Sequence, residues 1–228
     1  MGNKYRHEYK YLVSDQQITV IRQRLKYLMP CDPHTSEDGI YSIRSLYFDD
    51  YYNSCYNENI AGTDPREKYR IRIYNHSSAR ISLECKRKER GKTLKTSCPL
   101  TVEQCEKLMH GEVLPDIENQ PKVLRKLSIA MMIHGMRPVI IVGYDRVPYI
   151  YDLGNVRVTL DMNLYSSKDL TRFLERDISK RPVMPRGQHL IEIKWDEFIP
   201  DPIYRACQLD NLKQTAYSKY ALCRKYHL

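Results

Sequence analysis

Basic residues alternate with bulky apolar residues in the segment EKYRIRIY, residues 67–74. Read as a strand, this segment places Lys68, Arg70 and Arg72 on one face and the apolar side chains on the other. Neighbouring cations on such a face lie about 7 Å apart and repel each other. In a single strand, this pattern is typical of a solvated face. Several strands of the same kind would instead build a surface that attracts anions.

The same alternation recurs in other strand-like segments. Their polar faces carry Arg6, Glu8 and Lys10; Glu84, Lys86 and Lys88; Tyr144 and Arg146; Arg157, Thr159 and Asp161; and Glu192 and Lys194. If the charged faces pointed outwards, helices would have little apolar surface to cover. We therefore expect the sheet to close with its charged faces inwards and its helices outside. The lumen would then be a cationic tunnel that contains a few carboxylates.

Such a lumen favours a ligand with closely spaced negative charges, because crowded cations are costly in a space of low dielectric constant. The phosphates of a triphosphate accept charge-assisted hydrogen bonds from lysine and bidentate ones from arginine. The carboxylates do not suit phosphate, but they suit Mg²⁺ or Mn²⁺, which bridges phosphate oxygens. The pattern thus indicates a metal-assisted triphosphate site.

Composition agrees with an anionic partner. The 228 residues include 37 Lys and Arg against 28 Asp and Glu, a net charge of +9. This surplus suits nucleic acid, a membrane surface or a small polyphosphate. The apolar runs are too short to cross a bilayer, and no signal peptide opens the chain. The cysteines lack metal-ligand spacing, which indicates free thiols and a cytoplasmic location.

The predicted elements form one domain, residues 1–228, without repeats or linkers. Helices are predicted to begin at the capping boxes Ser14/Gln17 and Thr101/Gln104, at Pro121, and at Asp201, from which helical structure runs towards the C-terminus. Strands are predicted at 5–12, 41–48, 67–74, 80–88, 92–98, 139–147, 156–162 and 189–196. We expect a mainly β (α+β) fold, an eight-stranded antiparallel β-barrel tunnel decorated by outer helices.

The chain resembles the bacterial branch of the VTC domain (vacuolar transporter chaperone, the polyphosphate polymerase domain). This family lies within the CYTH or triphosphate tunnel metalloenzyme superfamily. The resemblance is carried by YRHEYKYLVS, RSLYFDDYYN, REKYRIRIYN, LECKRK, GNVRVTLD, IEIKWDEFIPD and AYSKYALCRKY, which together span residues 5–226.

The resemblance implies a tunnel that binds ATP and inorganic polyphosphate, uses Mn²⁺ or Mg²⁺, and lengthens a polyphosphate chain. It assigns phosphate contacts to Lys10, Arg70, Arg72, Lys86, Arg146 and Lys219, with Lys95, Tyr144 and Ser218 as further positions. It assigns the metal to Glu192. The charged faces add Lys88, Arg157 and Lys194 as phosphate-binding candidates. Glu8 is either a second metal ligand or a salt-bridge partner of the tunnel cations.

Two departures from the family pattern bear on the reaction. Arg6 replaces the first Glu of the Glu-x-Glu-x-Lys motif with which the hydrolytic relatives open, which favours transfer over hydrolysis. Ala216 stands where the yeast polymerase has a lysine, and Lys213 is a candidate substitute. A triphosphate hydrolase of the same fold and a non-catalytic polyphosphate- or nucleotide-binding module remain alternatives. Nucleic-acid binding is not expected, and the sequence identifies no protein partner.

Two other motifs have simpler interpretations. RGKT, residues 90–93, resembles the end of a P-loop, but Lys86 stands where that motif requires glycine. The pair Asp49-Asp50 is either a metal pair or a turn at the end of a strand, and we favour the turn.

Overall fold

The structure is a computed structural model that describes residues 6–33, 35, 37–209 and 212–227. Its strands are β1 His7–Ser14, β2 Tyr41–Asp49, β3 Arg66–Tyr74, β4 Ser77–Glu89, β5 Lys92–Leu100, β6 Arg137–Tyr151, β7 Val156–Ser167, β8 Arg181–Pro182 and β9 Gln188–Trp195. Its helices are α1 Asp15–Lys26, α2 Ser54–Ala61, α3 Val102–Met109, α4 Lys122–His134, α5 Asp201–Cys207 and α6 Lys219–Lys225. Tyr5, with which the first predicted strand begins, lies outside the described residues.

The strands form one antiparallel sheet in the order β1-β9-β7-β6-β2-β3-β4-β5, and the two-residue β8 pairs with β7. The edge strands β1 and β5 meet through a single bridge between Arg6 and Thr93. Farther along β1, its free edge bridges Gln214, and Thr215 donates its backbone N–H to the carbonyl of Lys10 at 2.9 Å. The sheet therefore curls into a barrel, and the predicted antiparallel tunnel fold is confirmed. The short β8 was not predicted.

The outer face of the curled sheet is apolar and covered by helices, as predicted. On the β3–β5 side, Ile71 and Leu83 belong to one buried cluster with Leu108 of α3 and Leu127 of α4. On the other side, α1 and α5 bury Ile21, Leu25 and Ile203 against β1, β6, β7 and β9. The alternation of β3 and β4 thus buries one face against helices and turns the other face into the lumen.

Helix α6 departs from the prediction because it packs on the inner face of the sheet. Its Tyr220 and Cys223 are buried in a cluster with Ile43 of β2 and Val142 of β6, which share their faces with lumen residues. The helical region predicted from Asp201 towards the C-terminus begins where expected but is interrupted between α5 and α6. After α5, Gln208 adopts an extended conformation, and the chain pairs with β1 before α6 begins. Pairing with the free edge of β1 satisfies backbone groups that a longer helix would leave exposed on that edge.

Helix α2 was not predicted, since Asn53 at its start makes no side-chain cap. The Asp49 carboxylate accepts backbone N–H bonds from Asp50, Cys55 and Tyr56 at 2.9, 2.8 and 3.1 Å. This fully buried carboxylate at the end of β2 replaces the missing cap. The interpretation of Asp49-Asp50 as a strand-end turn is confirmed. In the part of the chain described here, no helix is long and apolar enough to span a membrane.

Candidate active site in the lumen of the sheet

Inward-facing side chains line a cavity of about 620 Å³ inside the curled sheet. The sequence-predicted residues that line it are Glu8, Lys10, Arg70, Arg72, Lys86, Lys88, Tyr144, Arg146, Glu192, Lys194, Ser218 and Lys219. They come from β1, β3, β4, β6 and β9, and from the start of α6. Strand alternation therefore brings residues that are far apart in the sequence onto one concave surface.

Two predicted residues lie outside the cavity lining. Lys95 is half-exposed on β5, and its ammonium contacts the Glu84 carboxylate at 3.1 Å. Arg157 is exposed at the start of β7, two residues before the buried Thr159. It pairs in register with Lys194, but no contact brings its side chain to the lumen residues. Strand alternation correctly places Arg157 on the same face as Thr159. The residue lies so close to the beginning of β7, however, that its side chain is exposed to solvent.

Glu84 organises one side of the lumen, which we call the arginine cluster (Arg70, Arg72, Glu84 and Lys95). Arg70 donates its Nε and Nη2 to one Glu84 oxygen at 2.8 and 2.7 Å, and Arg72 Nη1 lies 3.8 Å away. Burial raises the pKa of Glu84, but Arg70, Arg72 and Lys95 outweigh burial and hold it well below its usual range. The carboxylate therefore stays ionised and fixes the Arg70 guanidinium, while Arg72 is held by hydrogen bonds to the Ser45 and Tyr144 hydroxyls.

The other side of the lumen is the lysine cluster, in which lysines bridge the carboxylates Glu8, Asp161 and Glu192. It also contains Lys10, Lys86, Arg146, Lys194 and Lys219. The two Glu192 oxygens contact Lys219 and Lys194, each at 2.6 Å. Lys194 also lies 3.5 Å from Glu8. A single ammonium thus serves two carboxylates, which is possible because lysine donates in several directions.

Arg146 and Lys219 meet at Asp161 inside this cluster. Arg146 binds Asp161 through two hydrogen bonds of 2.6 and 2.8 Å, and Lys219 Nζ lies 2.6 Å from Asp161 Oδ2. The same two cations lie over the Tyr144 ring, 5.2 and 4.8 Å from its centroid. Burial raises the pKa of Tyr144, but Arg146, Arg72 and Lys219 together lower it below its usual value. Arg146, Lys219 and the Tyr144 ring thus form one contiguous corner of the lumen.

The carboxylates of the lysine cluster all remain ionised. Burial raises the pKa of Glu8, but Lys86, Lys194 and Lys10 bring it well below its usual value. Burial likewise opposes ionisation of Asp161 and Glu192, and the surrounding cations again lower both pKa values. Burial lowers the pKa of Lys86 to about 8, although Glu8, 3.0 Å away, opposes this shift. Carboxylates with such low pKa values are weak general bases near neutral pH.

The donor set fits a divalent metal only in part. Glu8 and Glu192 present ionised oxygens, which suit Mg²⁺ or Mn²⁺. Within the described ranges, no group of three or more His, Cys, Asp or Glu side chains is arranged to hold a metal. Mg²⁺ is commonly held by one or two carboxylates together with substrate phosphates. Glu8 and Glu192 would therefore suit a divalent metal that is held jointly with a phosphate ligand.

Both departures from the family pattern can be located. Arg6 lies outside the lumen lining, where its Nε binds Asp196 at 2.8 Å and its Nη2 donates to the Asn155 carbonyl. Strand β1 therefore contributes Glu8 as its lumen carboxylate. Ala216 lines the cavity, whereas Lys213 is exposed and outside its lining. The suggestion that Lys213 replaces the missing lysine is not supported by this placement.

The sequence analysis did not assign three residues that shape the lumen. Glu84 and Asp161 orient the arginines, and the Glu-x-Lys pattern of β4 and the alternation of β7 were the available signals. The Tyr47 hydroxyl accepts a hydrogen bond from Arg70 Nη1 at 2.8 Å. Alternation along β2 places Tyr47 on the face of Ser45, which contacts Arg72 at 3.2 Å. That alternation was not used because β2 carries few charges.

Solved structures with this fold come from distant organisms. A proposed adenylate cyclase from Bacillus halodurans superposes with a TM-score of 0.52 at 17% identity, over 85% of this chain and 82% of that chain. The PH1819 protein from Pyrococcus horikoshii gives 0.51 at 15% identity, over 97% and 99%. A proposed adenylyl cyclase from Hippeastrum, with a dominant triphosphatase activity, gives 0.53 at 13% identity, over 97% and 96%. At these identities the likeness establishes the fold.

Sequence comparison gives the family. No curated protein sequence matches the chain. The VTC domain family matches residues 5–227, nearly the whole chain. The motifs that carry the match include the strands whose inward faces build the lumen, and the last one begins α6. The chain therefore belongs to the VTC domain family and has the triphosphate tunnel fold.

Proposed function

We propose that this chain is an ATP-dependent polyphosphate polymerase, which transfers the γ-phosphate of ATP to a growing inorganic polyphosphate chain. The observation that carries the proposal is the lumen itself, where cations from several strands and α6 line one cavity. Exposed cations would bind polyanions weakly, because water and salt screen them. Partly buried cations held in fixed positions contact a linear phosphate ligand without first having to be ordered.

The two clusters suggest how a triphosphate would be held. Arg70 and Arg72 on β3 and Arg146 on β6 would donate to its non-bridging oxygens. Lys86 and Lys219 would add charge where it accumulates as the bond to the γ-phosphate breaks. Further phosphate contacts are assigned to Lys10, Lys88, Lys194 and Ser218, which line the same cavity. Phosphoryl transfer depends mainly on such positioning and charge stabilisation.

Glu192 and Glu8 would hold Mn²⁺ or Mg²⁺ together with the substrate. The chemistry supplied by such a metal would be neutralisation of the negative charge on the phosphates. Lys194 and Lys219 now contact the Glu192 oxygens at 2.6 Å. With substrate bound, the same two ammonium groups would be free to contact phosphate. The lumen lysines thus keep the carboxylates compensated before substrate arrives.

The weak basicity of the lumen carboxylates favours polymerisation over hydrolysis. Hydrolysis requires activation of water, for which a carboxylate or histidine near its pKa is most effective. The pKa values of Glu8, Glu84, Asp161 and Glu192 are all lowered by neighbouring cations. The terminal oxygen of a phosphate chain is already ionised and requires no base. A reaction with phosphate as the nucleophile therefore suits this site.

Triphosphate hydrolysis is the second candidate. The similar Hippeastrum protein has a dominant triphosphatase activity, although its identity to this chain is 13%. A non-catalytic polyphosphate- or nucleotide-binding module is the third candidate, since the cations would bind such ligands without turnover. All three candidates rest on the same lumen. The two reactions differ in the group that attacks the γ-phosphate, and the binding module involves no reaction.

Incubation with ATP and Mn²⁺ or Mg²⁺ tests these candidates directly. A polymerase yields ADP and a long phosphate polymer, and a hydrolase yields ADP and one free phosphate for each ADP. Binding of ATP without ADP formation would indicate the binding module. The matched control is Glu192→Gln, which removes the proposed metal ligand and preserves its shape. Free phosphate in place of polymer would overturn the polymerase proposal.

A further inference from the structure

Lys68 differs from the other lumen cations in its partners. It lies on the inward face of β3, and its side chain lines the cavity. Its ammonium contacts the side-chain oxygen of Asn59 on α2, and lies 3.4 Å from Ser218 Oγ at the start of α6. It also lies over the ring of Tyr220, 5.5 Å from the centroid. These partners are neutral.

The cations of the arginine and lysine clusters are compensated by carboxylates. Arg70 contacts Glu84, Lys86 contacts Glu8, and both are close pairs of 3.0 Å or less. Across the described residues, no ion pair joins Lys68 to a carboxylate, and the charged groups with the largest effect on it are the cations Lys86, Lys10 and Arg66. Lys68 therefore offers an anion an ammonium that is not already paired with a carboxylate.

Contacts between the end of β2, helix α2 and helix α6 hold the partners of Lys68 in place. The Tyr220 hydroxyl donates to Asp49, and the same carboxylate accepts the backbone N–H groups of Cys55 and Tyr56 at the start of α2. Helix α2 then presents Asn59 to Lys68. Lys68 thus occupies a built position between two helices.

We propose that Lys68, with Asn59 and Ser218, forms a phosphate-binding subsite in the lumen whose occupation takes up a proton. This inference rests on the proposed function, because it assumes that the lumen binds a polyphosphate ligand. The subsite is distinct from the arginine and lysine clusters in having no carboxylate. A phosphate oxygen would bind the ammonium directly, while Asn59 and Ser218 hold the lysine in place.

Proton uptake follows from the surroundings of Lys68. The groups facing it are Lys86 on β4, Lys10 on β1, Arg66 on its own strand, Cys55 on α2 and Tyr220 on α6. Burial, and then Lys86, Lys10 and Arg66, lower its pKa to about 7. A bound phosphate favours the charged form and raises that pKa towards the ordinary lysine value of about 10.4. Above pH 7, binding therefore requires Lys68 to gain a proton.

The test compares Lys68→Met, Lys68→Arg and Lys88→Met. Lys88 lines the same cavity, so Lys88→Met also removes one cation and serves as the matched control. Calorimetric titration with tripolyphosphate in two buffers of different ionisation enthalpy gives the number of protons taken up. At pH 8, we expect Lys68→Met to take up about 0.9 fewer protons than the wild type, and at pH 6 about 0.1 fewer. Lys88→Met should match the wild type at both pH values.

The second measurement is the affinity of the wild type and each variant for tripolyphosphate. Lys68→Met should weaken tripolyphosphate binding about tenfold at pH 6, since a hydrogen bond to a charged group is lost. Lys68→Arg keeps its charge at every pH, so it should bind at pH 8 without the extra proton. Above pH 7, wild-type affinity should fall by up to about tenfold for each pH unit through this group, and Lys68→Arg should lack this component.

The outcomes separate this inference from the proposed function. If Lys68→Met takes up as many protons as the wild type, the proton-coupled subsite is wrong, even where the protein polymerises phosphate. If Lys68→Met binds tripolyphosphate as tightly as the wild type at pH 6, Lys68 does not contact phosphate and the inference fails. If the folded wild-type protein does not bind tripolyphosphate, the proposed function fails together with this inference. Thermal unfolding without ligand verifies that each variant is folded.

Discussion

The arginine cluster and the lysine cluster hold their carboxylates in different ways. Glu84 receives both Nε and Nη2 of Arg70, so that one carboxylate fixes a planar guanidinium. Glu192 and Glu8 instead share Lys194, and Glu192 and Asp161 share Lys219. Arginine is always charged and fixed in geometry, whereas lysine is a mobile point charge whose pKa responds to burial. The arginine cluster therefore keeps its guanidinium groups in fixed positions, whereas the lysines of the lysine cluster can change the groups that they contact.

This difference assigns separate tasks to the two sides of the lumen. A pre-ordered guanidinium pair binds phosphate at little entropic cost. A lysine shared between carboxylates could leave them if a phosphate ligand came with its own cation. The ammonium would then pair with phosphate, and the carboxylate would pair with that cation. The arginine cluster would thus set where the phosphates lie, and the lysine cluster would set where the chemistry occurs.

The largest effect is expected for Glu192→Gln compared with Glu84→Gln. Both substitutions keep the shape and remove a buried charge, but Glu192 is assigned to the metal. Glu192→Gln should lower turnover by about 10² to 10³-fold while tripolyphosphate still binds. Glu84→Gln should mainly weaken binding, because Arg70 loses the carboxylate that orients it. Steady-state kinetics with ATP and Mn²⁺, beside calorimetric binding, measure the two effects. Equal losses of turnover would mean that the two clusters do not divide the tasks.

The second comparison concerns stability and uses Arg146→Ala and Arg72→Ala. Arg146 is the bidentate partner of the buried Asp161, whose other cation is Lys219. Its loss removes two hydrogen bonds to a buried carboxylate that keeps Lys219, and it should cost about 3 kcal/mol. Arg72 lies 3.8 Å from Glu84, which keeps Arg70 and Lys95, so Arg72→Ala should cost less than about 1 kcal/mol. Chemical denaturation of the ligand-free proteins measures both, and a large loss for Arg72→Ala would make Arg72 a structural ion-pair member.

The third prediction tests the two clusters acting together on one ligand. Tripolyphosphate at ~100 times its dissociation constant should add about 2.7 kcal/mol of stability. This gain corresponds to a rise in Tm of about 5–10 °C for a domain of this size. Monophosphate at equal total charge should shift Tm far less, because it cannot contact both clusters. Equal Tm shifts for the two ligands, both lost at 150 mM salt, would instead favour binding to exposed, screened cations.

The smallest effect is expected for Arg157→Ala. Arg157 shares a strand face with Asp161 but lies exposed beyond the lysine cluster. Removing it should change the activation free energy of turnover and the free energy of unfolding by no more than about 0.5 kcal/mol, as for most surface substitutions. Lys194→Ala is the matched substitution inside the cluster, and it should weaken both binding and turnover. A strong effect of Arg157→Ala would extend the ligand site beyond the cavity.

The sequence was most informative where alternation and burial coincide. Lys68, Arg70 and Arg72 face the lumen because β3 buries Tyr69, Ile71 and Ile73 on its other face. A strand with one apolar face has its other face determined at the same time. Helices α1 and α3 also begin at their predicted capping boxes, because a cap is a contact between residues close in sequence.

The sequence by itself determined the strands, their inward faces and the cationic character of the lumen, since each depends on a local pattern. Only the tertiary structure decided which carboxylate pairs with which cation, that α6 lies inside the sheet, and that Lys68 lies between α2 and α6. It also decided that Arg157 lies in solvent and that Asp49 caps α2. These facts depend on contacts between segments far apart in the chain, whose distances follow from how the sheet curls. No pattern within one strand records them.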